Sequence, residues 1–465
     1  MKYISRFKQK LNINNYRTYL AARILYHPIS VKNVREIHID TSRIDPRHEP
    51  LILAPNQHGL SIASKLLEDG KLVAFPTETV YGLGASALNE VAVRSVFEVK
   101  ERPLTDPLIV HVLNESDAAC LLDVTDHEFN LFLALGKRFW PGPLTIIARA
   151  SRNVPRVVTA NTGAVGIRIP SHPIARALLA TSKLPIAAPS ANLFGHVSPT
   201  KCGHVLADLG DKGVHVLHGE LGIGEMKKFP AVSEQSCEYG IESTVIKIDG
   251  EAASVTLLRQ GCIGASQIQE VIDSVYHRAT GPRWKLRAAP PRMKENEASR
   301  LLCLRLTESE NQVVPGVGDA APGQALTHYA PILPCYIVAQ DASWAIGRAQ
   351  EYIGPDHLRR LNHQAMASMV LLDFTGQLAA FQDLVLAYRD LSVSGSFKEA
   401  AKCVFDSLRW AELYPGANGV LLPDLKPFLG ADAHPWDKAD AHISHGLVDR
   451  LHRASSGRIA VMPSK

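Results

Sequence analysis

The stretch FPTETVYGLGA, residues 75–85, decides how the first half of the chain is interpreted. It follows the apolar run KLVAF (71–75), which predicts that a buried strand ends here. An ordinary turn needs one or two polar residues and a glycine, whereas this stretch has two threonines, a glutamate and a tyrosine before two near-adjacent glycines. We therefore interpret it as one wall of a cleft, in which Gly82 and Gly84 let the backbone pass close by.

The composition is that of an ordinary globular protein. The chain has 465 residues, 46% of them apolar and 21% charged, which predicts two or three domains. A net charge of +4 permits an anionic partner without requiring one. The 7 cysteines form no C-x-x-C pair, which indicates a reducing compartment and argues against a zinc site. No apolar stretch is long enough for a membrane helix.

The order of helical and strand patterns divides the chain. Residues 55–277 alternate helices with more numerous strands, which predicts an α/β domain with a mixed sheet. Residues 278–333 are rich in Pro, Gly, Arg and Lys and are interpreted as a linker, with one strand at LLCLRL (301–306). Residues 334–455, including a helix at 342–354, predict a small Rossmann-like α/β domain, followed by a tail at 456–465.

The N-terminal segment, residues 1–54, is a basic extension. Its first acidic residue is Glu36, after several lysines and arginines. One interpretation is an extension of a cytoplasmic protein, and the other is a peptide that adds mitochondrial targeting. The segment is rich in Tyr and Asn rather than Ser, which favours the first interpretation.

Two polar residues interrupt strands that otherwise consist of apolar residues. In AVGIRIP (164–170), alternation places Arg168 on the face opposite Val165, Ile167 and Ile169. Such an arginine needs either a structural ion pair or a cleft in which it grips an anion. In LIVHVL, His111 is interpreted either as a hydrogen-bonded core residue or as a residue that contacts a ligand.

Further cations and hydroxyls lie near the ends of strands and helices. Lys100 and Arg102 follow a helix, where they either cap its dipole or grip a phosphate. Hydroxyl and amide side chains also lie near the ends of other predicted strands: these are Ser190, Asn192, Ser198 and Ser243. A further cation, Arg259, follows later in the chain. With no Ser-His-Asp spacing and no metal-ligand cluster in the sequence, this set suits phosphoryl or nucleotidyl transfer, which needs positioning and charge neutralisation.

Seven motifs occur in an order that resembles a known family. They are FPTETVYGLGA, K-x-R-P-x-x-x-P-L-I-V-H (100–111), WPGPLT (140–145), GIRIP (166–170), APSAN (188–192), SPT (198–200) and ESTV (242–245). Together they resemble the YrdC family, the L-threonylcarbamoyladenylate synthases. The THYAP segment (327–331) and the C-terminal α/β unit resemble the long two-domain form, so the resemblance covers roughly residues 55–455.

The resemblance implies a YrdC-like twisted mixed sheet and an ATP-dependent reaction. L-threonine, bicarbonate and ATP give threonylcarbamoyl-AMP and pyrophosphate, with Mg²⁺ accompanying ATP. A downstream transfer complex then modifies the tRNA adenosine beside the anticodon, and tRNA is itself a candidate partner. No membrane partner is implied.

The resemblance also implies roles for individual residues. Those at threonine-binding positions are Thr79, His111, Arg168, Ala188 and Ser243. Those at ATP-binding positions are Arg102, Asp106, Ala164, Ser190, Asn192, Ser198, Arg259 and Tyr329. Lys100, Arg102 and Arg168 are the candidate catalytic residues, no metal ligand is implied, and the linker would close over the site as a lid.

The chain departs from the family pattern in a few places. Glu101 replaces Gly or Asn, Asp106 replaces Asn, and Ala164 replaces a hydroxyl residue. An acid at position 106 would repel phosphate unless a cation bridges the two. The segment 217–239 is also longer than the usual loop.

Two alternatives belong to other classes of protein. An RNA-binding module would show tRNA binding without threonine-dependent use of ATP, although the net charge of +4 is small for that role. A carbamoyltransferase subunit would carry an acylphosphatase domain and Cys-rich zinc segments, and the sequence has neither.

Overall fold

The computed structural model describes residues 50–219, 237–276, 284–288, 329–339, 358–429 and 437–463. Several predictions lie outside these residues. They concern the N-terminal extension up to residue 49, the strand at 301–306, the helix at 342–354 and most of the long segment at 217–239.

Within the described residues, the first sheet has eleven strands and is mixed. Its strands are β1 (Ile52–Leu53), β2 (Val73–Phe75), β3 (Gly82–Ser86), β4 (Ile109–His111), β5 (Leu144–Arg149), β6 (Ala164–Arg168), β7 (Ile186–Ala187), β8 (His215–Leu217), β9 (Thr244–Asp249), β10 (Ser254–Arg259) and β11 (Lys285–Ala288). Their order across the sheet is β1-β8-β2-β3-β7-β4-β6-β5-β9-β10-β11. Strand β6 pairs in parallel with β4 and antiparallel with β5, which confirms the predicted mixed sheet.

Helices cover both faces of this sheet. They are α1 (Gln57–Glu68), α2 (Glu90–Lys100), α3 (Glu115–Ala119), α4 (Asp126–Phe139), α5 (Pro173–Ser182), α6 (Cys202–Leu209) and α7 (Ala265–Tyr276). Along β2, Val73 and Phe75 pack into one apolar cluster with α1 and α5. Ala74 packs into a second cluster on the opposite face with α2 and α4, as the alternation of side chains along a strand requires.

The second sheet has six strands, and all of its neighbouring pairs are parallel. Its strands are β12 (Cys335–Ala339), β13 (Leu358–Arg360), β14 (Met369–Asp373), β15 (Ala387–Asp390), β16 (Gly419–Leu422) and β17 (Ile459–Val461), in the order β13-β17-β12-β16-β14-β15. Its helices are α8 (His363–Met366), α9 (Phe397–Leu413) and α10 (Asp437–Ser455). This arrangement confirms the predicted Rossmann-like α/β unit.

Three short strands correct the sequence-based boundaries. Strand β3 begins within FPTETVYGLGA, where we expected only a cleft wall. Gly84 is required because a Cβ there would lie 2.9 Å from the Phe75 ring. Strand β11 falls in the predicted linker and pairs with β10. Strand β17 falls in the predicted tail but lies between β13 and β12. Segments of three to five residues are too short to show periodicity.

The two units share an apolar core. Val197 and Ile241 of the first unit pack in the same cluster as Phe405 of α9 and Leu447 of α10. Within the described residues, we find no helix that combines the length and the hydropathy needed to span a membrane.

Candidate active site

A cavity lies where several strands of the first sheet begin or end. Its wall is formed by Thr77, Thr79, Val80, Tyr81, Gly82, Arg102, Ile109, His111, Arg168, Ala188, Pro189, Ser190, Glu242, Ser243, Arg259 and Tyr329. It therefore brings together all five predicted threonine-binding positions and four of the predicted ATP-binding positions.

Arg168 is fixed at the end of β6 by three neighbours. Its Nη1 donates to Thr79 Oγ1 at 2.9 Å, its Nη2 donates to Glu78 Oε1 at 2.6 Å, and its Nε donates to the Gly142 carbonyl at 3.3 Å. A guanidinium has five N–H groups, so these three contacts leave two for an incoming carboxylate. Of the two sequence-based alternatives for Arg168, the structural ion pair is present, and the position of Arg168 in the cavity wall is compatible with the binding of an anion as well.

Glu78 holds this arginine from a strand exit. Its second oxygen, Oε2, accepts hydrogen bonds from the backbone N–H groups of Ser171 and His172, at 3.0 and 3.4 Å. The carboxylate therefore has donors on both oxygens and stays buried as the partner of Arg168. This explains the glutamate in FPTETVYGLGA.

His111 lies beside Arg168 in the paired register of β4 and β6. Its ring meets the Phe75 ring edge to face, with 5.9 Å between the centroids. Burial and the charge of Arg168 lower the pKa of His111 to about 3. The imidazole is therefore neutral at physiological pH and adds no charge to the cavity.

Ser243, Arg259 and Tyr329 form a second hydrogen-bonded group in the cavity wall. Arg259 Nη2 donates to Ser243 Oγ at 3.0 Å, and Arg259 Nη1 donates to the Tyr329 hydroxyl at 3.3 Å. Ser243 Oγ also lies 2.8 Å from Thr145 Oγ1. Tyr329, which lies near the end of the predicted linker, thus reaches the cavity wall as expected.

Arg102 reaches the cavity, but Asp106 does not. The Arg102 Nη2 atom lies 3.0 Å from Asp106 Oδ1, and both side chains are buried. The expectation that the acid at position 106 faces the nucleotide is not met, because Asp106 is turned toward Arg102 and is absent from the cavity wall. Arg102 is the cation that neutralises the charge of Asp106.

Four other predicted residues also lie outside the wall. Lys100 Nζ is buried and donates to the carbonyls of Ser190 and Asn192, so it positions their loop. The Asn192 amide donates to two nearby carbonyls, and Ser198 Oγ donates to Glu242. Ala164 lies at the opposite end of β6 from Arg168.

Lys100 is in an unusual electrostatic environment. Burial and the nearby charge of Arg102 hold the pKa of Lys100 well below its usual value. Its contacts to carbonyls make it a positioning residue in this structure rather than a group that faces a substrate.

Glu242 is a wall residue that the sequence analysis did not single out. It accepts from Ser198 Oγ and pairs with Arg450 of α10, whose Nε lies 2.6 Å from Glu242 Oε2. Glu242 is the first residue of the ESTV motif, so the sequence did contain a signal for it.

The acids nearest the cavity are paired with arginines. Glu242 lies in the wall and pairs with Arg450, and Glu78 lies beside the wall and pairs with Arg168. Within the described ranges, no group of three or more Asp, Glu, His or Cys residues could hold a metal ion.

Fold and cavity together define a class of protein: an α/β protein whose mixed sheet ends in a pocket built from arginines and hydroxyls, suited to a small acid beside a polyanion. The chain belongs to the Sua5/YrdC family of threonylcarbamoyl-AMP synthases. The threonylcarbamoyl-AMP synthase of Bacillus subtilis is 42% identical over 411 residues, which cover 88% of this chain and 96% of the relative.

Family models and further relatives agree with this assignment. A Sua5, YciO and YrdC model described as "Telomere recombination" matches residues 65–261, and the C-terminal domain model of threonylcarbamoyl-AMP synthase matches residues 263–456. The Pyrococcus abyssi threonylcarbamoyl-AMP synthase is 42% identical over 216 residues, which cover 46% of this chain and 58% of the relative. The solved structure of Pyrococcus abyssi Sua5 complexed with L-threonine has a TM-score of 0.62 and 27% identity, and covers 90% of this chain and 100% of that chain.

Proposed function

We propose that the protein is an ATP-dependent nucleotidyltransferase that makes threonylcarbamoyl-AMP. Threonine and bicarbonate first give a carbamate on the threonine nitrogen, with loss of water. A carbamate oxygen then forms a bond to the α-phosphorus of ATP, and the bond between that phosphorus and the bridging oxygen to the β-phosphorus breaks. Pyrophosphate leaves with that electron pair.

One observation carries the proposal: a single cavity joins two arginine sites. We define two sides of its wall by their hydrogen bonds: Arg168 with Thr79 forms one, and Arg259 with Tyr329 forms the other. Ser243 belongs to the same wall and accepts from Arg259 at 3.0 Å. Two anions bound on these sides would lie within one pocket, which is what joining a carboxylated amino acid to a phosphate requires.

The side formed by Arg168 suits threonine. Its two remaining N–H groups can bind the substrate carboxylate, while Glu78 and Thr79 keep the guanidinium in place. Neutral His111 gives a polar contact without attracting a second anion. The related Pyrococcus abyssi protein has been solved in complex with L-threonine, which supports threonine as a ligand.

Arg102 and Arg259 suit the triphosphate. Both cations lie in the wall of the cavity. The reaction brings two anions together, so neutralisation of charge by these arginines and by Mg²⁺ on ATP would supply much of the catalysis. The protein's own residues position and neutralise, and no protein nucleophile is needed.

The product would serve a second enzyme system. A mixed anhydride of AMP is a labile, activated group donor, so we propose a downstream complex that transfers the threonylcarbamoyl group to tRNA. We propose a cytoplasmic site for this step. The alternative of a tRNA-binding module without adenylation makes a different prediction, namely salt-sensitive tRNA binding with no threonine-dependent consumption of ATP.

The test follows product formation from defined substrates. Purified protein receives ATP, L-threonine, bicarbonate and Mg²⁺, and both pyrophosphate and the AMP-linked product are measured. We expect pyrophosphate release to require threonine and bicarbonate, and we expect Arg168→Ala to abolish it. Pyrophosphate release that is independent of threonine and bicarbonate would refute the proposal.

A further inference from the structure

A buried arginine of the second unit reaches the cavity wall of the first. Arg450 lies on α10 and is fully buried. Its Nε donates to Glu242 Oε2 at 2.6 Å, and its Nη1 donates to the Gln260 carbonyl at 3.1 Å and to Asp449 Oδ2 at 2.7 Å. The arginine therefore bridges the two units by a charged and a neutral hydrogen bond.

The helix that carries Arg450 is built for this contact. At Gly446, four residues before Arg450 and thus on the same helix face, a Cβ would lie only 2.6 Å from the Gly261 carbonyl oxygen. At Gly264, a Cβ would lie 2.9 Å from Cβ of His442, which is again on that face. Glycines on both sides of the contact thus allow the close approach that lets the arginine reach Glu242.

The same guanidinium also supports Tyr329. Its Cζ lies 5.0 Å from the centroid of the Tyr329 ring, in the geometry of a cation–π contact. Tyr329 has a φ of 63°, a left-handed conformation that is unfavourable for a bulky residue and needs support from its surroundings. The ring also packs 5.9 Å from Phe405, and its hydroxyl accepts from Arg259.

Glu242 and Tyr329, two of the groups that Arg450 contacts, line the cavity, although Arg450 itself does not. Glu242 is a carboxylate beside Ser198, Arg259 and Tyr329, the positions expected to bind ATP. An unpaired carboxylate there would repel phosphate, and the buried cation behind it removes that repulsion.

We propose that Arg450 is a positioning residue through which the C-terminal unit completes the nucleotide side of the active site. It neutralises Glu242 and seats Tyr329 while remaining outside the substrate space. The proposal rests on the proposed function, because it uses the assignment of this side of the cavity to ATP. It predicts a defect in the handling of ATP that is larger than any defect in the handling of threonine.

The test compares Arg450→Met with Arg450→Met/Glu242→Gln in the full-length protein. Pyrophosphate release gives kcat and the KM values for ATP and threonine, and thermal unfolding reports on folding. For Arg450→Met we expect the KM for ATP to rise by about tenfold or more and the KM for threonine by less than about threefold. The double variant should recover a large part of the loss, because it removes the uncompensated carboxylate.

Two further variants keep the test decisive. Arg409→Met breaks another buried contact between the units, the pair with Asp208. Neither of these side chains lines the cavity, so the variant should lower stability without selectively raising the KM for ATP. If Arg450→Met does not fold, Arg450→Lys, which keeps a charge beside Glu242, should give a smaller rise in the KM for ATP. An active wild type with equal effects on both KM values, or no recovery in the double variant, would overturn the role of Arg450. An inactive wild type would instead overturn the proposed function.

Discussion

Glu78 Oε1 lies 2.6 Å from Arg168 Nη2, and both side chains are buried. The two residues come from a strand exit and a strand end that are 90 positions apart. The pair fixes the direction of the guanidinium before any substrate binds. It also means that the positive charge of Arg168 is already compensated, so a bound carboxylate must share the arginine with Glu78.

Glu78→Gln should affect kcat/KM for threonine more than it affects the KM for ATP. The amide keeps a hydrogen bond but loses the ion pair, so Arg168 is held less firmly. We expect kcat/KM for threonine to fall by about tenfold to a hundredfold, with a smaller change in the KM for ATP. Glu238→Gln, which alters the exposed pair with Lys398, is the control and should leave both parameters unchanged. Equal losses for the two substrates would contradict this role of Glu78.

Lys100→Met tests whether Lys100 positions its loop or takes part in catalysis. The substitution leaves the buried carbonyls of Ser190 and Asn192 without their donor, which should lower the free energy of unfolding by about 2 kcal/mol. Because Lys100 lies outside the cavity wall, kcat should fall by less than about tenfold at temperatures where the variant is folded. The measurements are urea unfolding and steady-state kinetics.

The control for this experiment is Lys212→Met. Lys212 Nζ donates to the Val99 carbonyl at 2.8 Å but is partly exposed, so its loss should affect stability less. A stable Lys100→Met protein that has lost more than about a thousandfold in kcat would restore Lys100 to the catalytic residues.

Much of the cavity wall could be predicted from the sequence. Alternation in β6 identified Arg168 as a residue that needs a partner, and the family motifs added Thr79, His111, Ala188 and Ser243, which all line the cavity. These positions are fixed by local backbone geometry, because a strand end determines where its side chains point. The same holds for the mixed sheet, whose strands have clear patterns.

The remaining features depend on contacts between distant segments. Arg450 and Glu242 are 208 positions apart, and the sequence around Arg450 reads only as an amphipathic helix. Lys100 is a long side chain at a helix end, and its pattern does not distinguish between solvent, a ligand and the loop that it contacts. Strands β11 and β17 were missed because their pairing partners, rather than their composition, define them.

Asp106→Asn should lower the KM for ATP. Asp106 lies 3.0 Å from Arg102 and compensates its charge, so the neutral amide leaves more positive potential for the phosphates. We expect the KM for ATP to fall by roughly threefold to tenfold, measured at fixed Mg²⁺ and ionic strength. Asp123→Asn, at an exposed position, is the matched control. A rise in the KM for ATP would show instead that Asp106 is needed to orient Arg102.

A buried ion-pair network joins the two units at His196, which lies between the APSAN (188–192) and SPT (198–200) motifs. His196 Nδ1 lies 2.8 Å from Asp208 Oδ2, and His196 Nε2 lies 3.1 Å from Glu412 Oε1. Arg409 also pairs with Asp208 at 2.9 Å. Burial by itself would lower the pKa of His196, but the carboxylates of Asp208 and Glu412 outweigh burial and the repulsion from Arg409, and raise this pKa to about 9.

Stability should therefore fall on the alkaline side. The folded-state pKa of His196 lies above the usual value of about 6.5, so its contribution is complete below that pH and is lost as pH rises through about 9. The loss should be on the order of 3 kcal/mol. Urea unfolding at pH 6.5, 8 and 10 should show the wild type losing its advantage over His196→Gln, whereas His445→Gln at an exposed position should follow the wild type. A gap between wild type and His196→Gln that is the same at pH 6.5 and pH 10 would mean that the charge of His196 does not hold the two units together.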